Sequence, residues 1–212
     1  MENNMDKYKR QVFLNYPYDK EFFPILDAVI FSVICCGFIP RSCEEEISGT
    51  EPRIERILKL IASCQHGVHD LSASASHSQK NPRLNMPFEL GIFYGAKRLG
   101  GETHRKKDAV VFDSDIYRLK STLSDTAGLD FQPHNNEPLV AIVSIQRYLK
   151  KFADWDLIGP KALVSLYIDY QVQFPDLCDK FDFIQENIDY SERRSLAAFW
   201  LSRVCRESNL PK

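Results

Sequence analysis

Short apolar runs rich in strand-forming residues alternate with stretches of helical periodicity along this chain, and that alternation restricts its fold more than any other feature. Val12-Phe-Leu-Asn15-Tyr16 reads as a first strand, broken by Pro17-Tyr-Asp-Lys. Phe22 to Cys36 has the spacing of a largely buried helix, with Pro24 tolerated in its first turn and Gly37 as its stop. Phe38 to Cys43 reads as a second strand, which Pro40 assigns to a sheet edge. Beyond a polar, acidic loop from Glu44 to Glu51, Ile54, Ile57, Leu58 and Ile61 recur at helical spacing, with Arg53, Glu55, Arg56 and Lys59 on the opposite face. Cys64 to Leu71 is a third strand, Met86 to Leu99 a helix, and Ala109 to Phe112 a fourth strand that ends in Asp113. A short helix from Ile116 to Leu123, a brief strand near Leu129 to Gln132 and an amphipathic helix from Leu139 to Phe152 complete the series. Strands and helices in this order build βαβ units and a parallel sheet.

The expected fold is therefore α/β: a doubly wound parallel sheet of flavodoxin-like order, with about five strands, over residues 8–153. After Trp155-Asp-Leu-Ile-Gly159-Pro160 the strand signal stops. Leu163, Leu166, Tyr167 and Tyr170 suggest one helix, and Leu177 to Ile188 and Leu196 to Val204 two more, so residues 154–212 read as a helical extension.

Composition narrows the function. The formal net charge is −2, so no global basic field argues for nucleic acid, and no direct nucleic-acid contact is expected. No apolar run is long enough to span a membrane, and the opening Met1-Glu-Asn-Asn-Met-Asp-Lys lacks a signal-peptide core. The six cysteines lack Cys-x-x-Cys spacing and have mostly apolar neighbours, which suits a reducing cytoplasm and gives no zinc signature. His66, His69 and His77 do not form a helical metal pair, and no metal or resident cofactor is expected.

In a doubly wound sheet the loops leaving the carboxyl ends of neighbouring strands form a crevice where strand order reverses. Asn15, Tyr16 and Tyr18 leave the first strand, and Asp70 and Ser72 leave the third. The helix that follows opens with Asn85 and Met86 and carries Glu89, so these residues are expected to face one pocket. Plainer roles stand beside that reading: Asn85 is a good N-cap with Pro87 in the first turn, and Glu89 in the first turn would favour the helix dipole. Asp70 could cap or bend a loop, and the two tyrosines could pack. The basic turn from Lys97 to Lys107 could attract phosphate or simply be a charged surface loop. Gly91 and Gly95 each cost about 1 kcal/mol within a helix, which close approach to the sheet or to a ligand would offset.

The string Asp70-Leu-Ser72, a loop, then Asn81-Pro-Arg-Leu-Asn85-Met-Pro-Phe-Glu89-Leu-Gly91 resembles a recurring pattern, Asp-Leu-Ser/Thr followed by Asn-Pro-Asn-x-x-Tyr-Glu-Leu-Gly. That pattern marks TIR-like domains of bacterial proteins, within the broader group that includes nucleoside 2-deoxyribosyltransferases. Val12-Phe-Leu-Asn15-Tyr16-Pro-Tyr18-Asp19 is similar to the first TIR box, and the resemblance covers about residues 10 to 150. Phe88 stands where the pattern has tyrosine, Asn15 where TIR domains carry serine, and the loop between Asp70 and Asn81 is longer than usual.

The resemblance implies an enzyme that cleaves the N-glycosidic bond of NAD or a related nucleotide in bacterial antiphage defence or signalling, with NAD as substrate. Glu89 and Asp70 would be the catalytic pair, with Glu89 stabilising the cationic sugar and Asp70 binding sugar or orienting the leaving base. Asn15, Tyr16, Tyr18, Ser72, Asn85 and Met86 would bind substrate. A homo-oligomer and a defence-system partner protein are implied as well. The alternatives are a nucleoside deoxyribosyltransferase or nucleosidase, and a non-catalytic nucleotide sensor or TIR assembly module.

Overall fold

The computed structural model describes residues 4–45, 49–72, 83–114 and 131–207. Five parallel strands, β1 (Gln11–Asn15), β2 (Ile39–Arg41), β3 (His66–Asp70), β4 (Asp108–Asp113) and β5 (Phe131–Pro133), form one sheet in the order β2-β1-β3-β4-β5. β1 lies between β2 and β3, with Phe13 opposite Arg41 on one side and opposite Gly67 on the other. β4 aligns Phe112 with Asp70 of β3 and with Gln132 of β5. β2 is an edge strand, which explains how Pro40 is accommodated.

Helices α2 (Phe23–Cys35) and α6 (Pro138–Leu149) cover one face of the sheet, and α3 (Arg53–Ser63) and α4 (Asn85–Leu99) cover the other. Side-chain alternation along β1 feeds both layers. Val12, Leu14 and Tyr16 join the α2/α6 core, while Phe13 packs with Ile57, Ile61 and Phe93 beneath α3 and α4. Gly67 is glycine for want of space: a Cβ there would stand 2.7 Å from the His69 ring and 3.2 Å from Phe93. Gly37 ends α2 with a positive φ of 78°, and the Phe38 N–H donates to Val33 O while the Gly37 N–H donates to Ile34 O. That pair of bonds satisfies carbonyls that the helix leaves unpaired.

Two long helices follow the sheet, α7 (Pro160–Lys180) and α8 (Tyr190–Glu207). The sequence suggests three helices here, and the difference lies at Pro175, which α7 runs through instead of ending before. Proline lacks the N–H that would bond back one turn, but Leu163, Tyr167, Tyr170, Phe174 and Leu177 form a continuous buried stripe that offsets this loss. The stripe packs on α2, whose Phe31 stacks on Tyr170 at 5.0 Å and meets Trp200 of α8 at 5.7 Å. Helix α2 is thus apolar on almost every side because the sheet takes one face and α7 and α8 take another.

Smaller differences from the sequence reading have local causes. A short helix, α1 (Asn4–Arg10), precedes β1, and another, α5 (Glu102–Arg105), occupies the basic turn; both are polar and carry no periodic apolar signal. β5 is described over Phe131–Pro133, and the first two residues of the strand expected near Leu129 to Gln132 lie outside the described residues. The expected helix from Ile116 to Leu123 and the loop carrying Asn81 lie outside the described residues.

If α8 belongs to the same cooperative unit as the sheet, Trp200→Ala should lower the stability of the whole chain by about 3–5 kcal/mol. Urea unfolding followed by far-UV circular dichroism should show one transition at lower denaturant; a separate early transition with the sheet unaffected would contradict it.

Candidate functional site

The carboxyl ends of β1 and β2 lead into loops that meet the start of α3 and the start of α8 around a cavity of about 420 Å³. A cleft at this rim, beside the point where the strand order reverses between β1 and β3, is the usual ligand position in such sheets. Arg53, the first residue of α3, is the central group. Its Nη2 donates to Tyr18 Oη at 2.7 Å and to Cys43 Sγ at 3.2 Å, and its guanidinium lies 4.7 Å from the centre of the Tyr18 ring. The same nitrogen stands 3.6 Å from Glu89 Oε1.

Glu89 is only 3% exposed. Burial pushes its carboxyl up from the ordinary value near 4.5, and the Arg53 charge and a hydrogen bond from Asn85 offset only part of that shift. Asn85 is the first helical residue of α4 and Leu84 occupies the cap position, so Glu89 lies in the second turn and not the first. A favourable helix dipole therefore does not account for an acid at this position.

Asn15 anchors the base of the site. Its Nδ2 donates to Met86 O at 2.9 Å and lies 3.1 Å from His69 Nδ1, tying the end of β1 to the start of α4. His69 is fully buried between Phe13 and Phe93, and burial pushes its pKa down to about 3. Its Nδ1 accepts from Asn15, so the ring proton sits on Nε2. The Met86 side chain packs with Leu71, Leu90 and Val111. Tyr16 turns towards the β2 loop, donating to Glu44 Oε2 at 2.6 Å with Ser42 Oγ 3.1 Å away, and its ring stacks between Phe22 and Tyr190.

Asp70 and Ser72 form a separate group. Asp70 is 1% exposed and lies on the α2/α6 face near Leu14, Val68 and Phe112, beside a void of about 10 Å³, room for a single water at most. The Ser72 N–H and hydroxyl both donate to its Oδ1. His134 Nε2 stands 3.0 Å from Oδ2, and the Asn136 N–H donates to His134 Nδ1, which fixes the ring proton on the Nε2 that faces the acid. Tyr18, Arg53, Asn85 and Glu89 thus gather on one side of the sheet, with Asn15 and Met86 beneath them, while Asp70, Ser72 and His134 gather on the other. The expected meeting of Asp70 and Glu89 over one pocket does not occur among the described residues.

Arg53, Cys43, Glu44, Asp189 and Arg193 border the cavity without having been marked by the sequence. Gly91 and Gly95 have a different explanation from close approach to the sheet: a Cβ at either would meet nothing within 4 Å, and both lie on the outer side of α4. Among the described residues, no cluster of three or more His, Cys, Asp or Glu side chains could hold a metal, and no helix is long and apolar enough to cross a membrane.

No family model matches this chain, and no curated protein or solved structure matches it either. The fold is established by the sheet itself. A buried carboxyl beside an arginine that opens on a cavity can stabilise a developing cation, while the guanidinium can take an anionic group of the same ligand.

Because the raised pKa of Glu89 is a folded-state property, the folded chain holds this proton to higher pH than the unfolded chain does. The contribution of Glu89 to stability therefore falls as pH rises above about 4.5. Glu89→Gln should melt higher than the parent at pH 7, with the gap closing towards pH 4, as read by calorimetry. A parent that gains on the variant as pH rises would mean that the Arg53 pair, and not burial, dominates.

Proposed function

We propose that this protein cleaves the N-glycosidic bond of NAD or a related nucleotide, with Glu89 as the reacting carboxylate. The observation that carries the reading is a desolvated carboxyl at the carboxyl rim of a doubly wound sheet, beside the ligand-sized cavity that Arg53 lines. The resemblance of the Asp70-Leu-Ser72 and Glu89-Leu-Gly91 segments to TIR-like domains supports the same chemistry.

Loss of a base from a ribosyl carbon generates oxocarbenium character. A carboxylate in a water-poor site stabilises that charge strongly, because little solvent screens it. Nicotinamide leaves as a neutral molecule from a cationic precursor, so the departing base needs little acid assistance. Arg53 would take an anionic group of the substrate while staying beside Glu89, where its charge favours the ionised carboxylate beneath the sugar. Tyr18 orients Arg53 through both its ring and its hydroxyl, and Asn85 holds the Glu89 carboxyl. Asp70, engaged by Ser72 and His134 on the opposite face, acts as a positioning residue for the β3 rim.

In this reading the protein works as a homo-oligomer in bacterial antiphage defence or signalling, with a defence partner protein. The outer side of α4 is consistent with self-association: Leu84, Phe88 and Leu99 are exposed there at helical spacing with Gly91 and Gly95.

Purified protein incubated with NAD and a mixture of deoxynucleosides, with products read by mass, tests the reaction. Nicotinamide release is expected, reduced at least about 100-fold in Glu89→Gln. Base exchange on the deoxynucleosides would favour a transferase, and tight NAD binding without turnover in the assembled state would favour a sensor. A sedimentation profile that stays monomeric at high concentration with NAD would remove the oligomer from the reading.

A further inference from the structure

With Asp70 turned to the opposite face, the cleavage reading leaves Glu89 without a second carboxyl from β3. Glu89 itself does not border the cavity of about 420 Å³ but contacts Arg53, which does. Among the described residues that line this cavity, two carry carboxyls, Glu44 and Asp189. Asp189 is committed to the start of α8. Its Oδ1 accepts the Glu192 N–H at 2.8 Å, and its own N–H donates to Glu192 Oε2 at 2.8 Å, a capping box. Glu44 lies in the turn after β2 and caps no helix.

A closed ring of three hydrogen bonds fixes Glu44. Tyr16 Oη donates to its Oε2 at 2.6 Å, and the Glu44 N–H donates to Ser42 Oγ at 3.2 Å. The Ser42 hydroxyl, 3.1 Å from Tyr16 Oη, completes the ring by donating to that oxygen. Tyr16 is a rigid donor, because its buried ring is stacked between Phe22 and Tyr190, and burial holds its phenol well above the ordinary range. Burial also pushes the Glu44 carboxyl up; the Tyr16 bond and the charges of Arg53 and Arg193 oppose that rise, and Asp189 adds to it. A carboxylate whose pKa is raised towards the working pH is the stronger base.

Resting on the glycosidic-cleavage reading, we infer that Glu44 is the general base that activates water for the second half of the reaction. The bond from the anomeric carbon to nicotinamide breaks first, and its electron pair leaves with the neutral base. A water oxygen then bonds to the sugar cation, and one of its protons passes to Glu44 and on to solvent. NAD and water thus give nicotinamide, ADP-ribose and a proton. In a water-poor site bulk solvent does not take that proton during the attack, so the acceptor has to stand on the cavity wall. Glu89 serves the cation and Glu44 the nucleophile, and the Arg53 charge favours the ionised form of each.

The test compares the protein with Glu44→Gln, whose amide oxygen can still accept from Tyr16, so the variant should melt close to the parent. Hydrolysis of NAD should fall at least about 100-fold in the variant. Exchange of labelled nicotinamide into NAD, which consumes no water, should continue as in the parent. Azide, a nucleophile with no proton to lose, should restore nicotinamide release by the variant and leave the azido sugar as product. Hydrolysis by the variant at the parental rate would overturn the inference, as would loss of exchange together with hydrolysis, or failure of azide to rescue. Each of those results leaves the cleavage reading standing, because the parent still releases nicotinamide. A parent that neither releases nor exchanges nicotinamide would refute the cleavage reading and this inference with it.

Discussion

The pleat of β3 decides how this rim is built. Side chains alternate across a strand, so neighbouring residues cannot both face one layer. His69 points beneath α4, where it receives the Asn15 amide and packs on Phe93, and Asp70 must therefore point to the α2/α6 side, where His134 meets it. Asn15, opposite His69 in the β1–β3 register, shares its layer and can reach Met86. Glu89 rides on the helix that these contacts hold in place. Had β3 slipped by one residue, a histidine would stand at the β5 contact and a carboxylate under the aromatic rings.

Within this frame, loss of water around a charge outweighs the pull of its partners. Glu89, Glu44 and Asp27 all have carboxyls pushed up by desolvation in spite of nearby arginines. The buried cation Lys107 follows the same rule: burial pushes it down to about 8, and it survives by donating to Ile61 O and Cys64 O while sitting over the rings of Tyr8 and Phe93. Those carbonyls belong to the end of α3, where the helix leaves acceptors unpaired. The lysine thus fixes one end of α3, and the helix carries Arg53 at its other end.

Much of the fold was legible in the sequence because periodicity reports burial directly. The order of strands and helices, the edge position of the Pro40 strand and the stop at Gly37 all follow from local chemistry that the structure repeats. Glu89 stood out by its neighbours in sequence, but its partner did not. Arg53 reads as one more charge on the outer face of an amphipathic helix, and nothing local says that Tyr18, Cys43 and Glu89 converge on it. Asp70 did carry a local signal: counted from Val68, an inward residue of the α2/α6 core, it has the same parity, so the pleat alone separates it from His69 and the α4 layer. The glycines of α4 misled for the opposite reason, since the absence of a side chain looks the same whether it makes room for the sheet or leaves open space outside.

The helical extension also bears on the site. Its core residues continue the α2/α6 cluster, and Asp189 and Arg193 form part of the cavity wall. Arg193 Nη1 contacts both Asp27 oxygens at 2.7 Å, and its guanidinium lies 4.3 Å above the Phe23 ring. Both partners belong to the first turns of α2, so the wall contributed by α8 is fastened to the helix that follows the Tyr16–Tyr18 loop. Withdrawing Arg193 would leave Asp27 buried without its cation, a change that costs about 3–5 kcal/mol when such pairs are broken. That ion pair ties the α8 side of the cavity to α2, so the cavity takes its shape from the join between extension and sheet.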